Sequence, residues 1–338
     1  MTATGTGAAI FGCAGPVLLA EERAFFRDCD PFGFILFARN VETPAQLRRL
    51  TADLREAVGR EAPVLVDQEG GRVQRLRAPY WREWQPPLDT VAGCADLETV
   101  ARAMRLRMRI IAAELRDVRI DANCAPVADV AREVTHPFLK NRCYGTDPDT
   151  VSVIARAVAD GLMEGGVWPV VKHMPGHGLS QMDTHHDLPT VTASAAELDR
   201  IDFAPFRALA DLPMAMTAHI VYAAHDSLPA TQSPRVIRLI REEIGFKGLL
   251  MTDDLNMEAL KGSLASRTSA SLAAGCDIAL HCKGDLAQMQ EVAAAAGRMR
   301  DDTKARAAAA LAARRQAPKV DIAALEAELQ AVTGALHA

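Results

Sequence analysis

The sequence predicts a single α/β barrel of the (β/α)8, TIM type, and three observations predict it. Short apolar runs alternate with longer segments of helical spacing, the pattern of a parallel sheet with crossover helices. There are eight such runs, the number that closes this kind of sheet on itself. Polar residues stand directly behind the runs, where a barrel gathers them on its C-terminal face.

In order, the runs are residues 8–13, 33–37, 63–66, 120–125, 168–172, 213–217, 248–252 and 277–280. Helical spacing over 44–58, 97–115, 150–163, 195–209 and 235–244 fills most of the gaps. The runner-up architecture is an open doubly wound sheet, but no GxGxxG opens any of these helices. The Ala-rich, charged stretch 301–338 reads as one or two terminal helices packed outside the barrel. Residues 1–338 are therefore expected to form one catalytic domain. The loop 77–88 holds Trp81, Trp84 and three prolines (Pro79, Pro86 and Pro87). It is either a substrate rim or a structural cap.

Composition narrows the classes. The 338 residues are 49% hydrophobic and 24% charged, ordinary for a globular enzyme that buries its core without disulfide or metal staples. A net charge of −5 argues against a nucleic-acid partner. The seven cysteines, Cys13, Cys29, Cys94, Cys124, Cys143, Cys276 and Cys282, are odd in number, scattered and without a CxxC pair. That pattern disfavours a disulfide framework or a thiolate zinc site and fits a reducing compartment, the cytoplasm. The N-terminal stretch lacks a basic segment ahead of its apolar run, and Glu21, Glu22 and Arg23 follow soon after. It reads as a strand and helix, not a signal peptide. No apolar run approaches the length of a membrane span, so no membrane partner is expected.

The polar residues behind the runs are Asp67, Asn123, Lys172 with His173, His219, Asp253 with Asp254, and His281. Any one of them can merely cap an element; as a set they mark a site. The densest segment is 172–189, KHMPGHGLSQMDTHHDLP. Its histidines and aspartates allow a metal site, an acid–base pair in which Asp183 orients and charges His185, or a structural loop. The metal reading lacks an HExxH frame and a thiolate partner. In GLLMTDDLNMEAL, 248–260, a buried strand delivers two adjacent carboxylates. Neighbouring strand residues point opposite ways, so one should face the barrel axis while the other caps a helix beginning near Leu255. A lone carboxylate on that axis, with a proton donor nearby, equips a site for glycoside cleavage through a covalent intermediate. In VDQEGGRVQRL, 66–76, Gly70 and Gly71 permit a tight turn that brings Arg72 and Arg75 back over Asp67. Asp and Arg together suit sugar hydroxyls, or form a plain strand-end salt bridge.

Taken together, these segments resemble glycoside hydrolase family 3, and within it the short bacterial β-N-acetylglucosaminidases of peptidoglycan recycling. The resemblance spans nearly the whole chain. It also takes in GFILFARN (33–40), NRCYGTDP (141–148), MTAHIVY (216–222), the PAT–SP segment (229–234) and AGCDIAL (274–280). KH-x-PGHG followed by D-x-H, combined with TDDL-x-M, is its most specific part. The resemblance implies Asp253 as nucleophile, His185 as acid/base and Asp183 as its dyad partner. It implies that Asp67, Arg75, Arg142, Lys172 and His173 hold the N-acetylglucosamine. It further implies no metal or other cofactor, and a sugar or muropeptide as substrate, the natural one being N-acetylglucosamine β-linked to 1,6-anhydro-N-acetylmuramic acid. A monomer is expected. Larger family members carry a second domain with a glutamate acid/base, for which this chain has no room. Met174 stands where the family commonly has Phe, Leu179-Ser180 follows PGHG, and Asp183-Thr184-His185 replaces Asp-Ser-His. His186 beside His185 offers a second imidazole, though the D-x-H register favours His185. The alternatives are phosphorolysis on the same fold and a non-catalytic sugar-binding protein.

Overall fold

A computed structural model of the chain describes residues 4–92, 96–181, 188–316 and 319–334. Eight parallel strands close into a barrel in chain order. They are β1 (Gly7–Phe11), β2 (Pro31–Leu36), β3 (Val64–Val66), β4 (Ala122–Asn123), β5 (Trp168–Met174), β6 (Met214–Thr217), β7 (Leu249–Asp254) and β8 (Ile278–His281). Ala9 lies opposite Ala279 and Ile10 opposite Leu280, so β8 returns to β1 and the sheet has no free edge. Each of the eight apolar runs is one of these strands, with ends shifted by no more than about two residues.

Around the barrel lie α1 (Ala20–Cys29), α2 (Pro44–Val58), α3 (Leu97–Asp117), α4 (Pro148–Glu164), α5 (Pro234–Glu242), α6 (Leu264–Ala274) and α7 (Leu286–Ala296). Local chemistry starts several of them. Thr43, Asp147 and Ser233 each precede a proline and accept the backbone N–H three residues on, from Gln46, Thr150 and Val236. The helix expected over 195–209 is instead three pieces: Ala195–Glu197, a π-helical turn Leu198–Asp202, and Ala204–Ala208. Pro205 has no N–H to give, so one continuous ladder cannot pass through it.

Strand side chains and the inward helix faces form one continuous apolar core. All seven residues of β5 are buried, as expected of a strand covered on both sides. The terminal stretch makes two helices, α8 (Asp301–Ala312) and α9 (Ile322–Gly334). Leu325 and Val332 of α9 pack against Ala103, Leu106 and Ile110 of α3. In the loop 77–88, Trp81 is buried and Trp84 lies against the Arg107 guanidinium at 5.2 Å. None of that loop lines the cavity described below. Among the described residues, no helix is long and apolar enough to cross a membrane.

Candidate active site

The ends of the strands converge on a cavity of about 230 Å³ at the C-terminal face. Asp67 directly follows β3, and a short antiparallel hairpin, Gln68–Gly70 with Val73–Gln74, follows it. Gly70 and Gly71 turn that hairpin at φ of 103° and 61°, where side-chain-bearing residues are disfavoured. A Cβ on Gly70 would also stand 1.6 Å from Nη2 of Arg107. The turn folds Arg75 back so that its Nη2 donates to Asp67 Oδ2 at 2.8 Å.

Lys172, from β5, joins this pair to a second one. Its Nζ lies 2.8 Å from Asp67 Oδ1 and 2.7 Å from Glu69 Oε1. Arg142 grips Glu69 with two parallel bonds, Nε to Oε2 at 2.9 Å and Nη2 to Oε1 at 2.8 Å. Burial alone would raise both carboxyls, but Lys172 and Arg75 hold Asp67, and Arg142 and Lys172 hold Glu69, below the ordinary carboxylate range. One donor is left over: Arg75 Nε has no hydrogen-bond partner among the described residues.

His173 follows Lys172 and turns to a different carboxylate. Its Nδ1 is 2.7 Å from Asp129 Oδ2, and Asp129 Oδ1 also accepts the backbone N–H of His173 at 3.2 Å and of His177 at 2.7 Å. A carboxylate that only accepts fixes the proton on Nδ1 and the orientation of the ring. The Lys172–His173 and Met174–Pro175 peptide bonds are cis. His177 also lines the cavity; burial and the neighbouring His173 push its imidazole down to about 4, and its Nδ1 finds no partner among the described residues.

Asp253 and Asp254 end β7, and both line the cavity. The Asp253 carboxylate accepts the Asp254 N–H at 2.8 Å. Burial works to raise its pKa. The His173 and His219 imidazoles, the Asp254 N–H and Lys172 outweigh that and lower it, which keeps the group ionised. Asp254 does not cap a helix. Helix α6 starts only at Leu264, behind the Ser263 cap. The Asp254 carboxylate instead accepts the N–H groups of Asn256 and Cys282, both at 3.1 Å, and so pins the turn after β7 to the end of β8. The sequence MEAL reads as helical, but a cross-strand bond from Asp254 satisfies the chain in a turn.

The fold thus brings Asp67, Arg75, Arg142, Lys172, His173 and Asp253 to one cavity. Arg72 lines it as well, with its guanidinium 4.0 Å from the centre of the Phe138 ring. Asp183, His185 and His186 lie outside the described residues. Two residues that touch the site were missed in the sequence: Glu69, which joins Arg142 to Lys172, and Asp129, which orients His173. The signal for Asp129 was present, since an acid inside the apolar segment CAPVADVA must find a partner when buried. Chemically, the cavity offers the ionised Asp253 carboxylate beside a group of cations paired with Asp67 and Glu69, which suits a polyhydroxylated ligand and attack on an electrophilic carbon.

Residues 20–312 match the family model described as "Glycosyl hydrolase family 3 N terminal domain". The chain is 38% identical over 290 residues to a protein named "Beta-hexosaminidase" from Bordetella avium, covering 83% of this chain and 82% of that one. It is similar in structure to NagZ from Neisseria gonorrhoeae, solved in complex with N-trifluoroacetyl-D-glucosamine. There the TM-score is 0.83 at 29% identity, over 99% of this chain and 98% of the other. A β-N-acetylglucosaminidase of the same family from Paenibacillus superposes with a TM-score of 0.80 at 30% identity, over 96% of this chain. This chain spans only 62% of that longer protein.

Proposed function

This chain belongs to glycosyl hydrolase family 3 and is a β-N-acetylhexosaminidase, and from that premise we propose that it removes terminal β-linked N-acetylglucosamine with retention of configuration. The observation that carries the reading is Asp253: an ionised carboxylate at the end of a barrel strand, in one cavity with four cations and three histidines. In the first step an Asp253 oxygen bonds to the anomeric carbon as the glycosidic bond breaks. The leaving oxygen takes a proton from His185. In the second step water attacks the same carbon, His185 takes the proton back, and Asp253 departs. Two inversions leave the sugar in its original β configuration.

Asp183 supports the charged form of His185 by hydrogen bonding and charge. These two assignments rest on the D-x-H spacing and on the family resemblance. Asp67, Arg75, Arg142, Lys172 and His173 hold the sugar, and the unpartnered Arg75 Nε is a donor available to a hydroxyl. The N-trifluoroacetyl-D-glucosamine bound by the Neisseria protein has the skeleton of the sugar proposed for this cavity. We take the natural substrate to be N-acetylglucosamine linked to 1,6-anhydro-N-acetylmuramic acid, with or without peptide. The whole chain then acts as one catalytic domain, a cytoplasmic monomer that needs no metal.

A 2-acetamido-5-fluoro glycosyl donor tests the nucleophile. Its intermediate turns over slowly, so a peptide map by mass spectrometry should carry the glycosyl mass on Asp253. A label on any other residue overturns the assignment.

A further inference from the structure

Behind Asp253 lies a chain of buried polar groups that does not line the cavity. His219 follows β6 and is completely buried, as are Thr217 and Thr231. His219 Nε2 is 3.1 Å from the carbonyl oxygen of Asp254, and Nδ1 is 2.8 Å from Thr231 Oγ1. Thr231 Oγ1 is in turn 2.8 Å from Thr217 Oγ1.

A carbonyl can only accept, so Nε2 must carry hydrogen and donate to Asp254. On the other side of the ring Thr231 Oγ1 meets both Nδ1 and Thr217 Oγ1, and donates to the Ala218 carbonyl at 3.0 Å. The imidazole is thus held at both nitrogens.

Asp254 is the residue this chain holds. Its carbonyl is fixed by His219 and its carboxylate by Cys282 and Asn256. Its N–H is the group that donates to Asp253 Oδ1. We infer that His219, oriented by Thr231, is a positioning residue for the nucleophile: it fixes the Asp254 backbone and through it the direction from which Asp253 meets the anomeric carbon. The inference rests on the reading of Asp253 as nucleophile. Among the described residues His219 bonds to Thr231 and the Asp254 carbonyl and to no sugar-binding cation, so its loss should slow bond formation without weakening sugar binding. A small misplacement of a reacting group costs on the order of 10²-fold in rate.

The test compares wild type with His219→Gln, His219→Leu and Thr231→Val. The readouts are the rate constant and the saturation constant for labelling by the 5-fluoro donor, with circular dichroism to follow folding. His219→Leu should label on the order of 10²-fold more slowly with an unchanged saturation constant. Gln can place an amide N–H where Nε2–H stands, so His219→Gln should recover most of the rate. A wild-type rate in His219→Leu overturns the inference. So does a loss confined to the saturation constant, or a His219→Gln variant as slow as His219→Leu. If His219→Leu does not fold, Thr231→Val decides: it keeps the imidazole but removes the hydroxyl that holds its Nδ1 side. It should be about 10-fold slower, and a wild-type rate counts against the inference. The site of the wild-type label separates the two ideas. A label away from Asp253 sinks the nucleophile and this inference together, whereas a label on Asp253 with normal variants sinks the inference alone.

Discussion

The two ends of the barrel bury the same kinds of groups and treat them differently. At the N-terminal end, Asp121 stands just before β4. It accepts from Arg116 and Arg314, each at 2.6 Å, from Arg55, and from the Val64 N–H at 3.2 Å. Asp277 stands just before β8 and accepts from Arg241 and Arg306, each at 2.7 Å, and from Thr303 and the Leu250 N–H, each at 3.0 Å. An ionised carboxylate has about four lone-pair positions, so both are saturated. At the C-terminal end, Asp67 accepts from Arg75 and Lys172, Arg75 Nε is unpartnered among the described residues, and Asp253 faces the cavity. Saturated pairs hold the barrel together; pairs with donors and acceptors to spare can exchange them with a ligand. Position relative to the strand, before it or after it, separates the two uses.

Five substitutions press on that contrast. Asp253→Ala should have the largest effect. Loss of the covalent route should lower kcat by about 10⁴-fold or more, with the melting temperature nearly unchanged. A folded variant that keeps its turnover would erase the distinction claimed for the C-terminal end. Next is His185→Ala. A natural disaccharide should lose about 10²–10⁴-fold in the first step, while an aryl glycoside with an acidic leaving group is largely spared there. The second step should be slow for every donor, so a burst should appear, and azide should relieve it by forming a β-glycosyl azide. Equal losses on all substrates, without burst or rescue, would make His185 a structural residue.

Arg142→Ala and Lys172→Ala should each leave a buried carboxylate short of a partner and cost roughly 1–3 kcal/mol of sugar binding, read as a raised KM. A normal KM in both would move those cations into the same structural class as Arg116 and Arg314. Asp121→Asn should show the smallest effect on activity, none, measured well below the unfolding temperature. It breaks buried pairs and should reduce stability by roughly 3 kcal/mol in denaturant titration. A fall in kcat/KM there would show that the two ends are coupled.

Much of the C-terminal end was legible in the sequence because a barrel ties function to position. Asp67, Lys172, His173 and Asp253 could each be found by asking which polar residue ends an apolar run. What escaped was pairing across the sequence. Glu69 lies between Asp67 and the Gly-Gly turn and looks like part of a hairpin. Its partner Arg142 is 73 residues away, a distance no local pattern spans. Asp254 was misread for a related reason. Its acceptor capacity goes to the Cys282 N–H, 28 residues on, not to the helix that local propensity suggests. The break at Pro205, in contrast, was local and readable, since a proline in the middle of an expected helix marks its own interruption.

The arginines that finish the N-terminal end come late in the chain. Arg306 lies in α8 and Arg314 just beyond it, while Asp121 precedes Arg314 by 193 residues. At about 5–20 residues per second, Asp121 is synthesised roughly 10–40 s before Arg314. Over that interval the first half of the sheet exists without its lower seal, and an acid destined for the interior stays exposed to water or to Arg55 and Arg116 alone. All eight strands are made by His281, but Asp277 and Asp121 gain their last partners only with Arg306 and Arg314, so a nascent chain stopped before Arg306 should hold two under-partnered buried acids and be less stable than the finished barrel.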